Sequence, residues 1–220
     1  MRKRIFAVCS ITFLLALCLQ CQNIGGVKAT IKTTKIGESN IEYVQISGLA
    51  DATIQKNINE ELETFATWPS VNIEDDVNFD AKAKYAILGK KYLAVRSAQS
   101  FRSPIQGEQI DSQIFDLETG DFGISADSFI VSVDAISKAF EAGKFVQLQP
   151  SEDLDSMGEI MPFLLSLGAF DFYLTENSLG IYIPTPTGVD IEVTSDYVFE
   201  APYSEITDAL APSLKRLLKI

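Results

Sequence analysis

Residues 170–183, FDFYLTENSLGIYI, decide the fold class of this 220-residue chain. Residues 170–174 alternate between the two sides of a strand, 175–178 form a polar turn, and 179–183 return with β-branched and aromatic side chains. A short polar turn between two such segments is typical of a β-hairpin. We therefore expect an antiparallel pair of strands here.

Further strands with turn-like connections are predicted on both sides of this hairpin. The segments 85–88 and 92–95 flank Gly89-Lys90-Lys91, where a glycine suits the positive φ of a tight turn. The polar stretches 69–80 and 99–110 are expected to be loops, and 149–158 is acidic and irregular. The remaining predicted strands cover 27–32, 41–46, 114–117, 191–194 and 197–199.

Three segments have the periodicity of helices. In 51–66 the apolar side chains recur every three to four residues, Asp51 is a candidate N-cap, and Pro69 ends the segment. The same spacing predicts helices over 126–142 and 206–218. Because the strands are joined by hairpins and do not alternate with helices, the predicted class is α+β: a largely antiparallel sheet with hairpins packed against two or three helices.

Composition excludes several kinds of chemistry. The chain contains no histidine, which removes Ser-His and Cys-His nucleophiles and His-ligated zinc. With a net charge of −12, a nucleic-acid partner is not expected. No phosphate-binding, dinucleotide-binding or nucleophile-elbow motif occurs, so we expect no cofactor and no metal, and we expect the chain not to be an enzyme.

The N-terminal residues 1–21 predict export. A basic start at residues 2–4 precedes an apolar run over 5–19, which is short for a membrane span and typical of a signal peptide. A cysteine after such a run suggests a bacterial lipoprotein, with Cys21 as the acylated residue and Cys18 as the alternative. The alternatives are a soluble secreted or periplasmic product and an uncleaved membrane anchor.

Removing residues 1–21 leaves 15 basic and 30 acidic residues, a net charge of −15. Such a body is repelled by anionic lipid surfaces, so membrane association is expected only through the lipid or the leader. Residues 22–40 are predicted to be a tether with the first strand, and 41–220 a single domain.

Candidate binding residues are few. Tyrosines combine apolar area with a hydrogen-bonding tip, so Tyr182, Tyr197 and Tyr203 are candidates for lining a groove, with core packing as the alternative. Arg102 is a candidate in the 99–110 stretch. The acidic run at 152–158 lacks the ligand positions of an EF-hand, and the sequence alone selects no catalytic pair among its 30 carboxylates.

Several segments together resemble the RsiV-like family, a domain of unknown function of the type numbered 3298. They are Ile58-Asn59 in the first predicted helix, FDLETG at 115–120, FYLTENSLGIYI at 172–183, and more loosely APYSEI at 201–206. The chain departs from the family at 101–107, where many members carry a Gly-Gly-Ala-His stretch and this sequence has no histidine.

The resemblance implies an extracytoplasmic binding or accessory module, because one relative is the lysozyme-binding sensor of an anti-sigma factor and others accompany polysaccharide deacetylases. We therefore expect an exported, lipid-anchored protein of the cell envelope that binds a protein or glycan, a basic partner such as lysozyme included. The alternative is an envelope glycan hydrolase using paired carboxylates, and a structural lipoprotein without a ligand is the third interpretation.

Overall fold

The computed structural model describes residues 23–24, 26–67, 78–103, 107–149, 170–184 and 197–220. Within these ranges the chain forms two β-sheets and three α-helices. The first sheet has the order β1 (Asn23–Ile24), β2 (Val27–Ile36), β3 (Ser39–Ser47), β4 (Asn78–Leu88), β5 (Tyr92–Ser103), β6 (Gly107–Asp116). The second contains β7 (Val146–Gln149), β8 (Asp171–Leu174), β9 (Ser178–Ile183) and β10 (Tyr197–Pro202), in the order β7-β10-β9-β8.

The α+β class is confirmed, with hairpin-linked, largely antiparallel sheets packed against helices. The helices are α1 (Ala52–Thr67), α2 (Val133–Glu141) and α3 (Pro212–Leu218), with 3-10 turns at Ala126–Phe129 and Thr207–Ala209. Among the described strand pairs, β3 and β4 run parallel, and α1 makes the crossover between them. All other pairs are antiparallel.

Helix α1 begins and packs as its sequence pattern predicts. The Asp51 carboxylate accepts hydrogen bonds from the backbone N–H groups of Thr53 and Ile54 at 2.8 and 3.1 Å, the arrangement of an N-cap. Ile58 and Leu62 are buried against the first sheet. The Asn59 side chain exchanges two hydrogen bonds with the backbone of Ile46, which ties the helix to β3.

The predicted hairpin at 85–95 is confirmed, and the strands are longer than expected. Gly89 and Lys90 both have positive φ, at 56° and 65°, in the turn between β4 and β5. The expected loop over 99–110 is wrong at both ends: residues 99–103 belong to β5 and 107–110 to β6. The polar residues there pair as strands because β5 is flanked on both sides by hydrogen-bonded neighbours.

The 170–183 hairpin forms β8 and β9 of the second sheet, with β8 at its edge. Phe172 and Leu174 enter the main hydrophobic core, whereas Tyr173 lies on the opposite face with Ile110 and Tyr182, as the alternation predicts. Both faces are therefore covered, and every residue of β9 is buried. Strand β7 was not predicted.

Two predicted helices are shorter than expected, each preceded by a 3-10 turn. Between Ala126–Phe129 and α2, the backbone N–H of Val131 donates to the Ala209 carbonyl oxygen. The Ser132 hydroxyl caps α2 by accepting from the backbone N–H of Ala135. The 206–218 helix begins at Pro212, which lacks the N–H that a helix interior requires but suits a first turn.

The leader with Cys18 and Cys21, the acidic run 152–158 and the predicted strand 191–194 lie outside the described residues. In the part of the chain that is described, no helix is long and apolar enough to cross a membrane. The same part contains no cluster of three or more metal-ligating side chains.

Candidate functional site

A polar cavity lies where β4 and β5 of the first sheet meet the β8–β9 turn and β10. We call it the Arg96 cavity; its volume is about 560 Å³. Strand alternation places Arg96 on the side of β5 that faces the second sheet, between Ala94 and Ala98. Its lining includes Lys84, Arg96, Tyr173, residues 175–178 and Glu200.

Glu200 is the centre of a hydrogen-bonded network in this cavity. Its Oε1 accepts a bond from the Tyr173 hydroxyl at 2.9 Å, and its Oε2 accepts one from the Ser178 hydroxyl at 2.9 Å. The Arg96 Nη1 atom lies 3.7 Å from Glu200 Oε1, as an ion pair. The network continues to the Thr175 hydroxyl, 2.6 Å from Ser178 Oγ. These bonds hold Glu200, Tyr173 and Ser178 in fixed positions relative to one another.

Tyr173 is positioned by contacts on its ring as well as its hydroxyl. The Arg96 guanidinium lies 4.6 Å from the ring centroid, a cation–π contact. A Cβ on Gly180 would lie 1.9 Å from the ring, so the ring occupies the space that glycine leaves. Burial, and then the Glu200 charge, raise the pKa of Tyr173 far above its usual value, whereas Arg96 opposes this shift. Tyr173 therefore remains a neutral hydrogen-bond donor.

The sequence-predicted tyrosines do not line an open groove. Tyr182, Tyr197 and Tyr203 are each 4% exposed and pack in the hydrophobic clusters. Tyr203 donates to the Thr175 carbonyl at 2.9 Å, and burial raises its pKa well above the usual range. Burial likewise raises the pKa of Tyr197. Their side chains are in the core because the second sheet is covered on both faces.

Arg102 lies near the end of β5, and its side chain is outside the described part of the structure. It belongs to the strand and not to the loop expected from the sequence.

A second concave region carries unbalanced negative charge. We call it the acidic cleft; it has a volume of about 350 Å³ and is lined by residues 112–114, residues 123–127, Val133 and residues 170–172. Burial, together with the negative charges of Asp111 and Asp127, raises the pKa of Asp171. Among the described residues, neither Asp127 nor Asp171 forms an ion pair.

The segment that builds the cleft is acidic and carries exposed apolar side chains. Residues 107–149 contain eight acidic and two basic residues, whereas 78–103 contain one acidic and six basic residues. Phe122, Val131 and Val133 are 50%, 58% and 38% exposed. Acidic and apolar groups therefore share the segment, which combines apolar area with charge complementary to a cationic surface.

Sequence reasoning missed Arg96, Glu200 and Asp171. For Arg96 a signal exists, because an arginine between Ala94 and Ala98 on the inward side of a strand is unusual in a packed sheet. Glu200 gives a similar signal, because it is a charged residue that directly follows Phe199 in an otherwise apolar strand. No local pattern distinguishes Asp171 from other acidic residues, since its neighbours Asp111 and Asp127 are remote in sequence.

Comparison with known proteins finds similarity at the level of structure. No family model matches the chain, and no curated protein matches it. It is similar to the crystal structure of a DUF3298 family member from Bacteroides fragilis, with 10% identity and a TM-score of 0.49 over 89% of this chain and 98% of that one. A DUF3298 family protein from Pseudomonas aeruginosa PAO1 aligns with 10% identity and a TM-score of 0.43, over 86% of this chain and 95% of that one.

DUF3298 is the family type that the sequence segments resemble, and the designation stands for a domain of unknown function. The chain is thus similar to two solved domains of the family its sequence resembles, and its function has to be inferred from its own geometry.

Proposed function

We propose that this chain is a non-catalytic binding module that recognises a basic protein through the acidic cleft. The observation that carries the proposal is the pair Asp127 and Asp171, which line the cleft and have no cationic partner among the described residues. Burial and the negative charges of Asp111 and Asp127 raise the pKa of Asp171, so its ionised form is unfavourable in the isolated protein. A lysine or arginine of a partner would relieve that repulsion.

The charge of the whole chain supports the same partner chemistry. A net charge of −12, or −15 without residues 1–21, attracts a cationic protein and accelerates its association. The exposed Phe122, Val131 and Val133 of the same segment add apolar area that could be buried on binding. Export and lipid anchoring at Cys21 are part of the proposal, since they would place the module where extracellular basic proteins arrive.

Lysozyme is the basic protein we would test, using calorimetry with the full chain in mild detergent. We expect binding at low ionic strength that weakens as salt is added, because exposed charges are screened. The double variant Asp127→Asn/Asp171→Asn should lower the affinity about tenfold, as expected for two charges near an interface centre.

The matched control is Glu38→Gln/Glu63→Gln, which removes two exposed carboxylates that do not line the cleft. It should change the affinity less than about twofold, the size of a long-range charge effect in salt. Absence of binding at low salt would rule out lysozyme as partner, and equal losses in both double variants would rule out the cleft as the interface.

The alternative function is a glycan hydrolase, and one observation favours it. A carboxyl group with a raised pKa beside a second carboxylate in a cleft is the arrangement that glycosidases use as general acid and base. This alternative predicts release of reducing ends from peptidoglycan that disappears in the Asp171→Asn variant. If the wild-type chain releases none, the hydrolase alternative is excluded.

A further inference from the structure

The Arg96 cavity contains two cations that face each other across neighbouring strands. Lys84 in β4 and Arg96 in β5 are direct register partners, and both line the cavity. Like charges placed directly opposite each other on antiparallel strands are destabilising unless something neutralises them. Glu200 pairs with Arg96, whereas Lys84 has no ion pair among the described residues. The Lys84 ammonium can therefore interact with a further negative group.

Arg96 is held rigidly but its hydrogen-bonding capacity is only partly used. The guanidinium rests on the Tyr173 ring, and its side chain is 14% exposed. Its Nη1 atom is buried and has no hydrogen-bond acceptor within the described residues, because Glu200 Oε1 lies 3.7 Å away, beyond hydrogen-bond distance. The guanidinium as a whole still lines the cavity. An arginine fixed in this way is preorganised for a planar anion.

We propose that the Arg96 cavity binds a small polar ligand through a carboxylate group, held between the Arg96 guanidinium and the Lys84 ammonium. The rest of the ligand would contact the polar side chains of residues 175–178. A volume of about 560 Å³ suits a short peptide end or one sugar ring. A carboxylate fits better than a phosphate, because Glu176 and Glu200 also line the cavity and would repel a dianion about twice as strongly as a singly charged group.

This site is separate from the acidic cleft, and it stands whether or not the chain binds a basic protein. The two cavities share no lining residue, and the Arg96 cavity is lined by two cations as well as two carboxylates, whereas the acidic cleft is lined by carboxylates without a cation. A carboxylate ligand is favoured in the Arg96 cavity and disfavoured near Asp127 and Asp171.

Calorimetry with two pairs of compounds tests the proposal on the full chain. N-acetyl-Ala-Ala is compared with its C-terminal amide, and methyl glucuronide with methyl glucoside, so that each carboxylate has a neutral counterpart. We expect one of the two acids to bind at least about tenfold more tightly than its counterpart, the discrimination typical of a paired carboxylate. The acid that binds identifies a peptide or a sugar as the source of the carboxylate.

Two variants connect that binding to the cavity. Lys84→Gln changes an exposed side chain, so the fold should be unaffected, and we expect about a threefold to tenfold loss of affinity for the acid. Arg96→Lys keeps the charge but loses the planar fork, and should weaken the acid further. Absence of binding by both acids, equal binding of an acid and its neutral counterpart, or unchanged affinity in Lys84→Gln would each overturn the proposal.

Discussion

The Arg96 cavity and the acidic cleft both place charged groups beside the second sheet, but the two differ in the partners that their carboxylates have. In the Arg96 cavity, the Glu200 carboxylate has an arginine and two hydroxyl groups as partners. In the acidic cleft, burial and then the negative charges of Asp111 and Asp127 raise the pKa of the Asp171 carboxyl group. One carboxylate contributes to the fold, and the other is destabilised by its surroundings.

This difference separates a carboxylate that stabilises the fold, Glu200, from one that does not, Asp171. A half-buried charge with complete partners is costly to change, because the partners left behind lose their hydrogen bonds. A charge kept among like charges should be removable without loss of stability, so its presence is better explained by an external partner. Substitutions in the two places should therefore have opposite effects on the free energy of unfolding.

The largest effect is expected from Gly180→Ala, beneath the Arg96 cavity. The new Cβ would lie 1.9 Å from the ring of Tyr173, which is 2% exposed and is fixed by Arg96 and Glu200. Because the ring cannot move without disrupting the network, we expect a loss of about 3 kcal/mol or more in the free energy of unfolding. Urea denaturation followed by circular dichroism measures it.

Gly123→Ala is the matched control, since nothing lies within 4 Å of the added methyl group. Gly123 has a φ of 70°, so this variant should show only the backbone cost of about 1 kcal/mol. Equal losses in the two variants would mean that Tyr173 and its network are not rigid, and the comparison between the two regions would fail.

A smaller effect is expected from Glu200→Gln, which removes the charge but keeps the shape. The amide has one oxygen to accept from two hydroxyl groups, and Arg96 loses its counter-ion. Because the Glu200 side chain is 26% exposed, we expect a loss of about 2 kcal/mol, less than for a fully buried pair. Thermal and urea unfolding at neutral pH provide the measurement.

Glu205→Gln provides the control for Glu200→Gln. It breaks the ion pair between Glu205 and Lys144, whose side chains are 53% and 41% exposed respectively. An exposed pair of this kind contributes about 0.5 kcal/mol or less. If Glu200→Gln were no more costly than Glu205→Gln, the network around Glu200 would contribute little to the fold.

The sequence predicted well those helices and turns whose residues are set by local spacing and capping. Helix α1 has a three- to four-residue apolar spacing and the Asp51 cap, and the turns at 89–91 and 175–178 have their expected residues. The 126–142 segment has helical spacing too, but the helix is interrupted between the 3-10 turn at Ala126–Phe129 and α2. There Ile130 forms a β-bridge with Leu210, a contact that no local pattern contains.

The candidate sites were less predictable, because they depend on contacts between distant segments. Arg96 and Glu200 are 104 positions apart in the sequence and meet only when the second sheet packs on the first. Tyrosine is a residue type that often lines binding grooves. Here the second sheet is covered on both sides, and it buries Tyr182, Tyr197 and Tyr203. Alternation indicates which face of a strand a residue occupies, but not whether that face is covered.

The smallest change in stability is expected from Asp171→Asn in the acidic cleft, and its sign is the informative part. The folded-state pKa of Asp171 is raised, so the group's stabilising contribution is complete below its unfolded-state pKa and is lost as the pH rises through the folded-state value. At neutral pH the ionised carboxylate therefore opposes folding. Asparagine removes the charge, and we expect a gain of about 0.3 kcal/mol, the size of a like-charge contact at the surface.

The gain should be present at pH 7 and should disappear as acidification protonates Asp171 in the wild-type chain, which urea midpoints across that range would show. Asp134→Asn is the control with the opposite sign, because Asp134 forms an exposed ion pair with Lys138 at 2.9 Å. A loss of stability in Asp171→Asn at pH 7 would mean that the carboxylate is part of the fold. A gain, together with weaker lysozyme binding, would mean that the molecule maintains this charge for a partner at the expense of its own stability.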